Sequence, residues 1–157
     1  SALNALLEGN TQKARWISAD VTDEQTPDKI VAETLNAFGA LDILVNNAGI
    51  ISLNTPEAIT DEDWMSVIDT NLNSVFRFSR AAHSALIKAG GGKIINIGSM
   101  YSIFGSPLAA SYAASKGAVV QLTKSLAVSW AKDNIQVNAI LPGWIETEMT
   151  APIEAER

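Results

Sequence analysis

Leu41-Asp42-Ile43-Leu44-Val45-Asn46 carries its apolar residues in a nearly continuous run rather than in alternation. Such a run is expected of a strand buried on both faces, as in a parallel sheet covered by helices. Working outward, Ala14–Ala19 is a short strand candidate upstream, and Lys93–Ile97 (KIINI) and Ile135–Leu141 (IQVNAIL) are two more downstream. Helical periodicity separates them. Asp28–Phe38 is opened by Pro27 and stopped by Gly39, the usual asymmetry of helix ends. Thr60 caps a long helix from Asp61 to about Lys88, whose first acidic residues suit the positive end of the helix dipole. Ser111 reads as the cap of a further helix running to about Lys132. Strands alternating with helices predict one α/β domain over residues 1–157, a doubly wound parallel sheet with helices on both faces.

Composition agrees with a folded domain and removes several function classes. Of 157 residues, 47% are hydrophobic and 18% charged, enough apolar surface for one core. Acidic residues outnumber basic ones 17 to 11, and no Lys/Arg cluster offers a footprint for a phosphate backbone, so nucleic acid is not an expected partner. With no cysteine and a single histidine, His83, neither a metal site nor a thiol nucleophile is expected. No apolar run reaches the roughly 18 residues of a membrane span, and the expectation is a soluble, cytoplasmic protein.

The chemistry gathers at the ends of the strands. Tyr112 and Lys116 stand four residues apart in a helical pattern, so their side chains leave one face of the first turns. An ammonium group within about 4–6 Å can lower a phenol by roughly 1–3 pH units, which would make Tyr112 a usable base. Alone, the pair equally describes two amphipathic side chains on a helix surface. It does not stand alone, because Ser99 follows the KIINI strand thirteen residues before Tyr112. Asn46-Asn47-Ala48-Gly49 ends the preceding strand and Pro142-Gly143 the following one. In an open parallel sheet, that carboxyl edge is where ligands bind. The run Gly90-Gly91-Gly92-Lys93 precedes a strand rather than a helix and reads as a turn, not a phosphate loop.

With Asp20-Val21, Asn46-Asn47-Ala48-Gly49, Asn71 in Thr-Asn-Leu, Ser99, Tyr112-x-x-x-Lys116 and Pro142-Gly143-x-x-x-Thr147 in register, the chain resembles the short-chain dehydrogenase/reductase family. The resemblance implies a Rossmann-like fold and a hydride exchanged between NAD or NADP and a small alcohol or carbonyl substrate. It makes Tyr112 the general acid/base, with Lys116 lowering its pKa and binding the nicotinamide ribose. Ser99 would hold the substrate oxygen, and Asn71 a water linking Lys116 to solvent. Asp20 and Val21 would contact adenine, Asn46 and the Ala48-Gly49 backbone the ribose, and Ile145 and Thr147, after Pro142-Gly143, the carboxamide. Trp144 would lie beside the nicotinamide.

Against the family pattern, the chain is expected to be a domain truncated at both ends. It lacks the Gly-rich strand-turn-helix that normally holds the pyrophosphate, and Ser1–Gly9 resembles the tail of a preceding helix. The discriminating strand end is missing, which leaves NAD and NADP open. The stretch Ile95–Gly105 (INIGSMYSIFG) resembles that of sugar, polyol and sugar-acid dehydrogenases. The alternative is a 3-oxoacyl-carrier-protein reductase, whose acidic partner would call for a basic patch that the sequence lacks. A different class of reading is a catalytically silent fragment serving as an oligomerisation module. In the family, helices 61–88 and 111–132 pair between subunits, implying a homotetramer or dimer.

Overall fold

The computed structural model describes residues 14–146. Three strands, β1 (Ile43–Asn46), β2 (Gly92–Ile97) and β3 (Ile135–Ile140), form a parallel sheet in the order β1-β2-β3. Parallel neighbours need a crossover, and helices supply it. α1 (Thr26–Phe38) leads into β1 and ends at Gly39, whose φ of 83° is left-handed. Between β1 and β2 come α2 (Asp61–Ile68), a π-helical turn (Asp69–Asn73) and α3 (Ser74–Lys88). α4 (Ala110–Trp130) joins β2 to β3. The Thr60 cap is present, its side chain accepting the Asp63 N–H at 3.1 Å. The chain turns at Gly90 and Gly91, with Gly92 already in β2, and Gly91 must be glycine: its φ is +122°, and a Cβ there would stand 2.4 Å from the Asn134 carbonyl oxygen.

One core holds these elements together. Ala82 and Leu86 of α3, Ile94 of β2, Leu126 of α4, and Ile135 and Val137 of β3 are buried against one another, with Val31 of α1 and Leu44 of β1 packed alongside. All three long helices therefore share one face of the sheet. Replacing Leu86, which is fully buried, with Ala is expected to cost about 2–5 kcal/mol of stability, read as a lower urea midpoint at unchanged slope.

Below the strand ends a chain of polar side chains crosses this core. Asn46 Nδ2 donates to Asn96 Oδ1 at 2.8 Å and to Ser79 Oγ at 3.2 Å. Asn96 Nδ2 donates to Thr123 Oγ1 at 2.9 Å, and Thr123 Oγ1 donates to the Val119 carbonyl at 2.7 Å. Two strands and two helices are thus tied at one level, and a satisfied network of this kind specifies a unique packing.

Several expectations are corrected. Ala14–Ala19 is not a strand: no described strand lies beside it to share hydrogen bonds, Trp16 is 78% exposed, and Arg15 pairs with Glu33 of α1 at 2.9 Å. β1 is not buried on both faces. Leu44 and Asn46 turn to the helices, while Ile43 and Val45 on the other side are each 53% exposed. Helices on both faces are therefore met on one face only among the described residues. The helix expected over Asp61–Lys88 is interrupted by the π turn, where the Ser74 N–H reaches the Asp69 carbonyl. Ser111 is no cap, because α4 begins at Ala110 with Ala109 in the capping place. Its hydroxyl is instead buried in the first turn without a hydrogen-bond partner. Thr147 and Ser1–Gly9 lie outside the described residues.

Candidate active site

The carboxyl ends of β1 and β2 and the first turns of α4 enclose a cavity of about 300 Å³, at the lower end of the range for small-molecule sites. Ser99, Tyr112 and Lys116 all line it, together with Asn47, Gly49, Gly143 and Ile145. A second cavity of about 230 Å³ lies along β1, lined by Val21, Ile30, Asn46, Ala48 and Phe78 among others, and is mainly apolar. Asn47 borders both, so the two adjoin as a trough along the strand ends, mainly apolar throughout with the Ser99–Lys116 end the more polar.

Each reactive side chain is placed by local structure. Ser99 follows β2 in extended backbone and opens a 3₁₀ turn, Met100–Ser102, with its Oγ accepting the Tyr101 N–H at 3.2 Å. Tyr112 and Lys116 share one face of α4. Lys116 is 4% exposed, and its Nζ donates to the Ile97 carbonyl at 2.7 Å. The Nζ lies 5.7 Å from the centre of the Tyr112 ring, and the Tyr101 ring meets that ring edge-on at 6.3 Å. A Cβ on Gly49 would come within 3.4 Å of Lys116 Nζ and 3.5 Å of Asn71 Oδ1, so glycine keeps the chain close to the ammonium group.

Burial shifts both titratable groups of the pair. Burial pushes the Tyr112 phenol above its ordinary 10.0, hydrogen bonding with Ser99 opposes the rise, and the nearby Tyr101 phenol adds to it. Lys116 does not bring the phenol down here. Its ammonium is turned to the Ile97 carbonyl, and its own burial lowers it from 10.5 to about 8. Both shifts favour the uncharged form of the group, the neutral phenol and the neutral amine.

The other expected residues divide between the trough and its supports. Pro142, Gly143 and Ile145 line the more polar end; Val21, Ala48 and Asn46 line the less polar one. The Asn46 amide nitrogen is committed inward to Asn96 and Ser79, which leaves its remaining atoms for the cavity. Asp20 sits in an exposed turn, its Oδ1 accepting the Thr22 N–H and hydroxyl at 2.8 Å each, which lowers its carboxyl. Asn71 is fully buried in the π turn and does not line the cavity: its amide bonds both backbone groups of Ile50, at 2.8 and 2.9 Å, and Ser115 Oγ at 3.1 Å. The π turn aims that side chain inward, a frequent use of such turns near functional sites. Asn47 and the Ile97 carbonyl were not singled out by sequence, although Asn47 stands inside the quoted Asn46–Gly49 stretch. His83 lies away from the trough, stacked on Trp130 at 4.6 Å and 3.2 Å from Asp133 Oδ2. Among the described residues, no cluster of His, Asp and Glu could hold a metal ion.

The family model for short chain dehydrogenases matches residues 1–157. The chain belongs to the short-chain dehydrogenase family. It is 44% identical over 144 residues to 2-dehydro-3-deoxy-D-gluconate 5-dehydrogenase of Bacillus subtilis (strain 168), covering 90% of this chain and 57% of that one. It is 41% identical over 143 residues to the 3-oxoacyl-acyl-carrier-protein reductase FabG of Escherichia coli (strain K12), covering 91% and 59%. A gluconate 5-dehydrogenase from Burkholderia cenocepacia J2315, solved in complex with NADP and tartrate, superposes with a TM-score of 0.90 at 37% identity, over 98% of this chain and 60% of that one. The chain thus spans less than two thirds of the length of these relatives. The Rossmann-like parallel sheet with helices is the fold of this short-chain dehydrogenase chain as of its solved neighbours. No helix among the described residues is long and apolar enough to cross a membrane.

Proposed function

We propose that the protein carrying this chain is an NAD(P)-dependent oxidoreductase that interconverts a secondary alcohol and a ketone, with a sugar, polyol or sugar-acid substrate. The observation that carries this reading is the convergence of Ser99, Tyr112 and Lys116 on one cavity. A nicotinamide dinucleotide suits the trough because its two ends differ in polarity as the two cavities do, and because Gly49 leaves the Lys116 ammonium accessible from the backbone side. Val21, Asn46 and Ala48 would border its adenosine half, Gly49 and Lys116 its second ribose, and Pro142, Gly143, Ile145 and Thr147 its nicotinamide. Bound, the cofactor supplies or accepts the hydride.

The chain's own groups manage the oxygen. The Ser99 hydroxyl donates to the substrate oxygen and fixes it beside Tyr112. As a ketone is reduced, the Tyr112 phenol gives its proton to that oxygen; as an alcohol is oxidised, the phenolate takes it back. With the phenol raised by burial, reduction draws on the form that predominates at neutral pH, and oxidation quickens as pH rises. We also propose a cytoplasmic homo-oligomer formed through α2–α3 and α4, on which Met65, Phe76 and Val128 are exposed.

Relatives named as carrier-protein reductases at 41% identity keep a second reading open, reduction of a 3-oxoacyl thioester. The test is made on the full-length protein. With keto sugar acids, acetoacetyl-coenzyme A and either NADH or NADPH, kcat/KM is expected to favour the sugar acid by roughly 10⁴-fold, the reach of a site that hydrogen-bonds its substrate hydroxyls. The reverse preference selects the thioester reading. Tryptophan fluorescence, to which Trp144 between the cavity-lining Gly143 and Ile145 contributes, should be quenched saturably by one dinucleotide. Quenching by neither would leave a silent oligomerisation module.

A further inference from the structure

Ser102 hydrogen-bonds the backbone of both halves of the site, at Ser99 and at Lys116. It ends the 3₁₀ turn after Ser99, and its Oγ accepts the Ser99 N–H at 3.1 Å while Ser99 Oγ accepts the Tyr101 N–H at 3.2 Å. A hydroxyl that accepts one hydrogen bond still has a proton to give. Ser102 gives it across the site, to the backbone carbonyl of Lys116 at 2.8 Å. Lys116 is consequently held at both ends: its Nζ on the Ile97 carbonyl at 2.7 Å and its own carbonyl on Ser102. Ile97 and Ser99 belong to the tip of β2, so two bonds clamp that tip to the helix that carries Tyr112.

The glycine before the turn agrees. A Cβ on Gly98 would stand 3.1 Å from Ser102 Oγ, and one on Gly117 3.7 Å from the Ser102 carbonyl. The residue before Ser99 thus leaves room for the Ser102 link, while the contact at Gly117 is an ordinary one.

We propose that Ser102 is a positioning residue whose hydroxyl sets the separation between Ser99 and the Tyr112–Lys116 face of α4. It rests on the oxidoreductase reading above and adds a residue to it. Alanine removes acceptor and donor together, so β2 and α4 can shift against each other by a fraction of an ångström, enough to misplace a proton donor. Threonine retains both functions of the hydroxyl.

In the full-length enzyme, Ser102→Ala is expected to lower kcat by roughly 10- to 100-fold and to leave the KM for the dinucleotide within about twofold. Ser102→Thr should recover most of the lost kcat, while Lys29→Ala, exposed on α1, serves as the unaffected control. A kcat within about twofold of the parent in Ser102→Ala overturns the proposal. So does a loss that Ser102→Thr fails to reverse. Should Ser102→Ala not fold, Ser102→Cys decides, since its thiol is a weaker donor and acceptor towards the same partners: a lowered kcat at unchanged dinucleotide KM supports the link, and an unchanged kcat removes it. Tyr112→Phe, assayed in parallel, separates the two readings. If it keeps full turnover, the oxidoreductase reading itself fails; if it abolishes turnover while Ser102→Ala does not, only the role of Ser102 fails.

Discussion

Tyr112→Phe lowers kcat by roughly 1000-fold, within the 10²- to 10⁴-fold reach of a positioned acid or base, and leaves the fold intact. The change deletes one oxygen. The ring keeps its edge-on contact with Tyr101 at 6.3 Å, and α4 keeps its packing on β2 and β3. A thousandfold corresponds to about 4 kcal/mol of transition-state stabilisation, which is large for a single atom and matches the reach of a group that carries the proton. Dinucleotide affinity, followed by tryptophan quenching, should remain within a few-fold of the parent. Steady-state turnover of ketone and alcohol by parent and variant is the measurement. Loss smaller than about tenfold in both directions would take the proton-transfer role away from Tyr112. Because burial raises the phenol, the parent's alcohol oxidation should climb with pH across the alkaline range, and the variant's residual rate should not.

Lys116→Met separates what the lysine does for the reaction from what it costs the fold. Turnover is expected to fall by roughly 100-fold or more, since a charge beside the reacting oxygen is lost. Stability should respond in the other sense. Lys116 is lowered by burial from 10.5 to about 8 in the folded chain, whereas the unfolded chain titrates near the ordinary value. Below about pH 8 both states hold the proton and the folded state bears the full cost of burying it. Between about 8 and 10.5 the unfolded state binds more protons, so stability rises with pH through that window, by at most about 1.4 kcal/mol per pH unit. Methionine abolishes the slope. It also leaves the Ile97 carbonyl without the Lys116 Nζ bond, a cost of about 1–3 kcal/mol that offsets part of the gain at pH 7. Urea unfolding of parent and variant without dinucleotide, from pH 7.5 to 10, gives the answer: a rising parent curve over a flat variant curve is expected. Two parallel curves would mean that the ammonium group is not desolvated.

Local order in the sequence accounts for most of the elements. Thr60 as a cap, Gly39 as a stop, Pro27 in a first turn and the glycine turn before β2 are short-range effects, decided within a few residues, and all four are present. The spacing of Tyr112 and Lys116 is a helical fact of the same kind. Where the reading failed, the deciding contact lay far along the chain. Ala14–Ala19 has strand-like residues but no described neighbour to pair with, and the exposed side of β1 has no described helix upon it. The break at Asp69–Asn73 answers to Ile50 and Ser115, which Asn71 must reach. Ser111 resembles a cap in sequence, yet the helix starts one residue earlier.

By itself, the sequence determined that strands would alternate with helices and that a serine, a tyrosine and a lysine would stand at neighbouring strand and helix ends, because periodicity and turn chemistry are local. Only the tertiary structure decided how deeply the pair is buried and which residues hold it in place. Burial, which raises Tyr112 and lowers Lys116, and the bonds from Lys116 to Ile97 and from Ser102 to Lys116 depend on how β2 is laid against α4, and that distance is set by packing rather than by spacing along the chain.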